Sequence, residues 1–189
     1  LLFIKDLIVI KERVYFASDL NKYMQVNLKS FKQKVGRNAK KMKSFLTKLE
    51  KRAPKGLDNL AEFISPQVWA ETDCLSCANC CKTMSPTFTK TDIKRIAAHL
   101  NTTPAAFTAQ WLEYDKKDKD WLNKLQPCQF LDLKSNMCSI YEVRPADCAG
   151  FPHLTKKKMT EYIHVHKQNV EYCPATYKMV EKMQDLIGG

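Results

Sequence analysis

The sequence predicts an α-rich fold of the α+β class: an irregular, cysteine-rich, metal-bound domain with one small β-hairpin, preceded by an amphipathic N-terminal helix. Three observations carry that expectation. Apolar residues recur at helical spacing from Leu20 to Leu49. All eight cysteines fall between residues 74 and 173, four of them within eight positions. One pair of short apolar runs, 128–133 and 137–141, flanks Lys134-Ser135-Asn136 as two strands flank a turn. The chain has 189 residues, 44% of them apolar, enough for a modest domain with an extension. We divide it into a basic helical arm, 1–56, and a cysteine-bearing domain, 57–189.

In the arm, Leu20, Met24, Leu28, Phe31, Val35, Ala39, Met42, Leu46 and Leu49 share one helix face, and lysines fill the rest. Gly36 weakens the helix without forbidding it. Nearly all of the net charge of +11 lies at this end: residues 1–60 hold 15 Lys/Arg against 5 Asp/Glu, a balance of +10, and the remainder 16 against 15. Such a helix either packs its apolar stripe on the cysteine domain or a second subunit, or offers its cations to a protein partner, nucleic acid or an anionic surface. Dispersed lysines, little arginine and no interleaved aromatics favour packing over nucleic acid. The opening run LLFIKDLIVI is much shorter than the about 20 apolar residues of a membrane-spanning helix. No basic start or small-residue cleavage site accompanies it. The expectation is a chain without a membrane span, in the cytoplasm.

Pro54 and Gly56 break the pattern, and a second helix runs from about Leu57 to Ile64, with Ser65-Pro66 opening a further turn or helix to Thr72. Thr89 or Thr91 caps a helix to about Leu100, with Asp92 at its positive end. Thr103-Pro104 starts another, carrying Phe107, Trp111 and Leu112. The run DKKDKD, 115–120, reads as a solvated loop. Residues 160–172 fit strand or helix, with His164 and His166 alternating as on an exposed strand face. Pro174 to Ile187 closes the fold as a helix, with Gly188 as its stop.

The chemistry lies in Cys74-x2-Cys77-x2-Cys80-Cys81, followed by Cys128, Cys138, Cys148 and Cys173. Disulfides suit small exported scaffolds. This chain shows no export signal, and its first four cysteines are too crowded to pair with distant partners. Two-residue gaps instead let sulfurs turn back onto one ion. Three cysteines at such gaps, completed by a remote Cys-Pro, form the ligation pattern of a four-iron, four-sulfur cluster, here Cys74, Cys77, Cys80 and Cys173-Pro174. Cys81, Cys128, Cys138 and Cys148 are left as a second set. The alternative is two closed tetrahedral zinc sites from the same eight thiolates. A single remote cysteine such as Cys128, beside Phe130 and Leu131, also fits plain burial.

Other candidates have simpler readings. Arg144 fits a salt bridge to Asp147 or Asp92 better than an anion site. His153, five residues after Cys148, could ligate in place of a cysteine but fits a supporting or surface role better with eight thiols at hand, and His99 sits where a cation favours a helix end. No nucleophile–base set stands apart from the cysteines, and five glycines leave little for a nucleotide loop.

CLSCANCC at 74–81 resembles the signature of the YkgJ-type cysteine-cluster proteins, a zinc- or iron-chelating domain. TDIKRI (91–96), PCQFLD (127–132), CSIYEVRPADC (138–148), FPH (151–153) and CP (173–174) follow in that family's order. The resemblance covers roughly 70–176, with Ala149 departing from a more polar family residue. It implies chelation of zinc or iron by the eight cysteines. Through flagellin lysine N-methylase, a relative, it also implies an alternative: an iron–sulfur enzyme, an oxidoreductase or a protein-lysine methyl transferase. A zinc-stabilised module binding nucleic acid or protein is the third reading.

Overall fold

The computed structural model describes residues 26–156 and 158–187. Helix α1 spans Leu28–Lys51. It starts later than the apolar periodicity suggests because the Asn27 side chain accepts the Ser30 N–H at 2.9 Å and caps it there. Leu20, Met24 and the opening apolar run lie outside the described residues, as does Gly188. The buried face of α1 (Phe31, Met42, Leu46 and Leu49) packs into a helical core, so its apolar stripe is used within the chain. Lysines occupy the opposite face; one of them, Lys43, pairs with Glu171 at 2.8 Å, and Glu50 of α1 pairs with Lys167 at 2.6 Å.

Helix α2 spans Leu57–Ala70 as one element, entered through Gly56 in the left-handed region at φ 79°. The break expected at Ser65-Pro66 does not occur. Pro66 removes one helical N–H, but Ile64, Ser65 and Val68 around it are buried, and that packing holds the helix together. Two short helices follow, α3 (Cys74–Cys77) and α4 (Asn79–Thr83). Helix α5 (Lys90–His99) is capped by Thr89, with Asp92 completing the reciprocal capping box. Helix α6 (Pro104–Trp111) is capped by Thr103, whose hydroxyl accepts the Ala106 N–H at 3.1 Å.

The paired strands are not where the apolar runs placed them. Strand β1 (Thr87–Phe88), β2 (Leu112–Asp115) and β3 (Asp120–Asn123) form an antiparallel sheet in the order β1-β3-β2, with Leu112 opposite Asn123 and Asp115 opposite Asp120. The charged run expected as a loop is therefore the tip of a hairpin. Asp115 accepts the Lys117 N–H at 2.8 Å within the turn, and Tyr114 packs on Trp121 across the strands, ring centroids 5.1 Å apart. The segment 128–141 keeps a single bridge, Leu131 to Cys138. Asp132 accepts from Lys134 and Ser135 and closes its turn. Beyond it, Tyr141–Val143 curls into a 3₁₀ turn instead of extending as a strand.

The C-terminal part is helical: α7 (Ala146–Gly150), a 3₁₀ turn at Met159–Tyr162, α8 (Ile163–Asn169) and α9 (Pro174–Ile187). The side chains of α1, α2, α8 and α9 make one hydrophobic core, joined by Leu154 and Met159. A second core collects Phe88, Ile93, Ile96, Phe107, Leu112, Phe130 and Ile140 from α5, α6, the sheet and the cysteine loop. Among the described residues no helix is long and apolar enough to cross a membrane.

Because 163–169 is a helix, His164 and His166 do not share a strand face. His164 is exposed, whereas His166 is 1% exposed, with no hydrogen-bond partner on either ring nitrogen. Burial, assisted by His153 and His164, pushes its pKa down to about 4. The unfolded chain, titrating near 6.5, then binds the extra proton first. Stability therefore falls as pH drops from about 6.5 to about 4, by roughly 3 kcal/mol in all. Denaturant midpoints measured across that window are expected to show the slope in the wild type and to lose it in His166→Leu.

Candidate metal centre

The cysteine turns are built from very short elements. Asp73 caps α3 by accepting the Leu75 N–H at 3.0 Å. Ala78 then turns the chain through the left-handed region, φ 45°, and α4 begins at once. This sharp reversal of a non-glycine residue sets Cys77 and Cys80 on one wall of a small cavity. Asn79 fixes the turn to the far end of the chain, its Nδ2 donating to the Tyr172 carbonyl at 2.6 Å.

That cavity, about 20 Å³ in volume, is lined by Cys74, Cys77, Cys80 and Cys173, with Trp69 and Phe151 among its apolar walls. Cys173 arrives from the segment between α8 and α9, where its N–H donates to the Asn169 carbonyl at 2.7 Å. Cys77 and Cys173 are buried, Cys80 is half-buried and Cys74 stands at the solvent rim. The protein around Cys74, together with Cys173, Cys77 and Cys81, pushes its thiol up to about 11. Burial likewise raises Cys77 and Cys173.

Cys80 and Cys81 are neighbours on α4 with sulfurs 3.9 Å apart. Their contact, with burial, drives Cys80 up and lowers Cys81 to about 7. The Cys128 N–H donates to the Cys81 carbonyl at 2.8 Å. Burial raises Cys128, Cys138 and Cys148. The Cys81 charge adds to each shift, and Cys128 and Cys138 also act on Cys148. Cys81 acts on Cys74 and Cys77 too, so it stands between the two groups. All eight cysteines are free thiols, and among the described residues no three His, Cys, Asp or Glu side chains already converge as a ligand set.

Residues 73–174, more than half of the chain, match the model of the CxxCxxCC family, described as a "putative zinc- or iron-chelating domain". The chain belongs to the CxxCxxCC family. It is also similar to the uncharacterized protein MJ0661 of Methanocaldococcus jannaschii, 33% identical over 84 residues. That alignment covers 42% of this chain and 43% of the relative, so the chain spans less than half the length of the relative it matches. No solved structure matches.

Within this CxxCxxCC domain, polar side chains that the sequence left in simpler roles hold the cysteine turns. Asp92 is more than a cap. Its Oδ1 accepts the Ala146 N–H at 3.1 Å and Arg95 at 2.6 Å, and Arg95 continues to the Arg144 carbonyl at 2.9 Å. The start of α5 is thereby clamped to the turn that presents Cys148. Burial works against the Asp92 carboxylate, but Thr89, Arg95 and the Ala146 N–H outweigh it and hold it below its ordinary pKa. Arg144 has a structural role, as expected, but with other partners: its guanidinium lies 3.9 Å over the Tyr141 ring and donates to the Tyr141 carbonyl. His153 approaches Asp147 at 3.6 Å and packs on Phe151 and Tyr162. Ala149 is exposed on an open cleft beside them. Asn123, at the end of β3, donates to the Cys128 sulfur at 3.2 Å. No motif announced that contact, because Asn123 sits in a segment whose strand pairing the sequence pattern concealed.

Proposed function

We propose that this protein chelates zinc or iron through its eight cysteines in two sets: Cys74, Cys77, Cys80 and Cys173, and Cys81, Cys128, Cys138 and Cys148. The observation that carries the reading is the cavity wall, which four cysteines from two distant parts of the chain line together. Soft thiolates suit zinc and iron alike. Burial raises the free thiols of Cys77 and Cys173. A bound cation would take the place of their protons. The iron–sulfur reading uses the same four cysteines, with Pro174 after the remote one.

Purification without oxygen, followed by elemental analysis, sulfide assay and absorption spectroscopy, tests the proposal. Colourless protein with two equivalents of zinc supports paired mononuclear sites, and brown protein with matching iron and sulfide supports the cluster and reopens the enzymatic alternatives. Protein that carries neither metal and takes up neither on titration sinks the reading. Cys173→Ser is expected to remove the first equivalent and spare the second.

A further inference from the structure

We infer that Asn123 is a positioning residue for the second cysteine set, presenting a fixed amide N–H to the Cys128 sulfur; the inference rests on the metal-binding reading above. The orientation of an amide is normally ambiguous, because its oxygen and nitrogen look alike. Here a chain of contacts removes the ambiguity, starting from a group that cannot be turned. The Trp111 backbone carbonyl can only accept, and Gln129 Nε2 lies 3.1 Å from it. The amide nitrogen of Gln129 must therefore be the atom on that side. It also lies 2.9 Å from Asn123 Oδ1, so its second hydrogen points there and Asn123 must present oxygen. Asn123 Nδ2 is left facing Cys128 Sγ at 3.2 Å. Turning either amide would set two donors or two acceptors against each other.

The geometry is held at some cost. Asn123 is 3% exposed and pinned by the pairing of β3 with Leu112, and Gln129 Oε1 is buried without a partner. A neutral thiol is a weak acceptor and gives little return for such an arrangement. A metal-bound thiolate keeps negative charge on sulfur and takes a strong hydrogen bond from a buried amide. Asn123 would thus draw charge from the Cys128 sulfur, hold its direction and resist its reprotonation.

Cobalt titration of the full chain, monitored by the sulfur-to-cobalt charge-transfer band, tests this against Asn123→Asp, which keeps the shape but turns the donor into an acceptor. We expect one of two cobalt equivalents to weaken by about 10- to 100-fold, with its band moved to lower energy, while the other keeps its affinity. Gln129→Leu, which leaves Asn123 in place without its orienting contact, is expected to shift the same band less and serves if Asn123→Asp does not fold. In a Cys128→Ser background the Asn123 substitution should add nothing. Unchanged affinity and band position in both variants overturn the role of Asn123. Wild-type protein that takes up no metal sinks the chelation reading instead.

Discussion

Stripping metal from the loaded protein with a strong chelator is expected to free residues 73–84 and 127–150 for hydrogen exchange while α1, α2, α8 and α9 stay protected. The reason is the unequal distribution of packing. Helices α3 and α4 have four and five residues, far below the length at which a helix holds itself, and of α3 only Cys77 is buried. Between Cys128 and Gly150 there is one isolated bridge, one 3₁₀ turn and a five-residue helix. Metal–sulfur bonds would add to the scattered hydrogen bonds and the Phe130 and Ile140 contacts that tie these turns down. Structural zinc contributes about 10–16 kcal/mol of apparent binding energy to small folds, so its loss should lower protection in these segments by orders of magnitude. The helical core, built from long elements, has its own burial to rely on. Equal exchange in the two segments with and without metal would refute the idea that metal organises them.

Phe107→Ala should be the most damaging single truncation on the cysteine side. Phe107 is 0% exposed, its ring 6.3 Å from Phe88 and stacked at 6.2 Å on Phe130. Removing a buried phenyl from such a site costs about 3–5 kcal/mol, through lost transfer energy and the cavity left behind. The effect should also reach the chemistry. Phe130 follows Gln129 and lies two residues beyond Cys128, so a loosened ring lets that turn drift. We expect denaturant unfolding to show the stability loss and metal titration to show weaker binding of the second equivalent alone. Leu46→Ala, in the helical core at 0% exposure, should cost about 2–5 kcal/mol without selecting that equivalent. Two variants that weaken metal binding alike would contradict this division of labour.

The legible parts of the fold were those whose signal is local. Thr89 and Thr103 announce α5 and α6 because a cap is written in one residue and its third neighbour. The face of α1 is written in steps of three and four. The sheet was concealed because β2 and β3 have four residues each, and the charged tip between them looks like open loop. The run at 128–141 looked more like a hairpin, but it spends its backbone on turns. His166 was misplaced for a related reason: two histidines two apart suggest a strand, and only the packed helix shows that one is inward. At the site, the cysteine spacing of the family was readable. The supports were not, since Asp92 reaches Ala146 across 54 positions and Asn79 reaches Tyr172 across 93.

Cys80 lines the cavity it shares with Cys173, and Cys81 follows it directly on α4. Successive residues of an α-helix point about 100° apart, so one peptide unit sets the angle between these two side chains. On the proposed division, the two sets of sulfurs would thus be indexed to each other like gears on a common shaft. One residue inserted between them would rotate one group by that angle relative to the other, though every cysteine remained. Length, more than composition, is what this short stretch cannot vary.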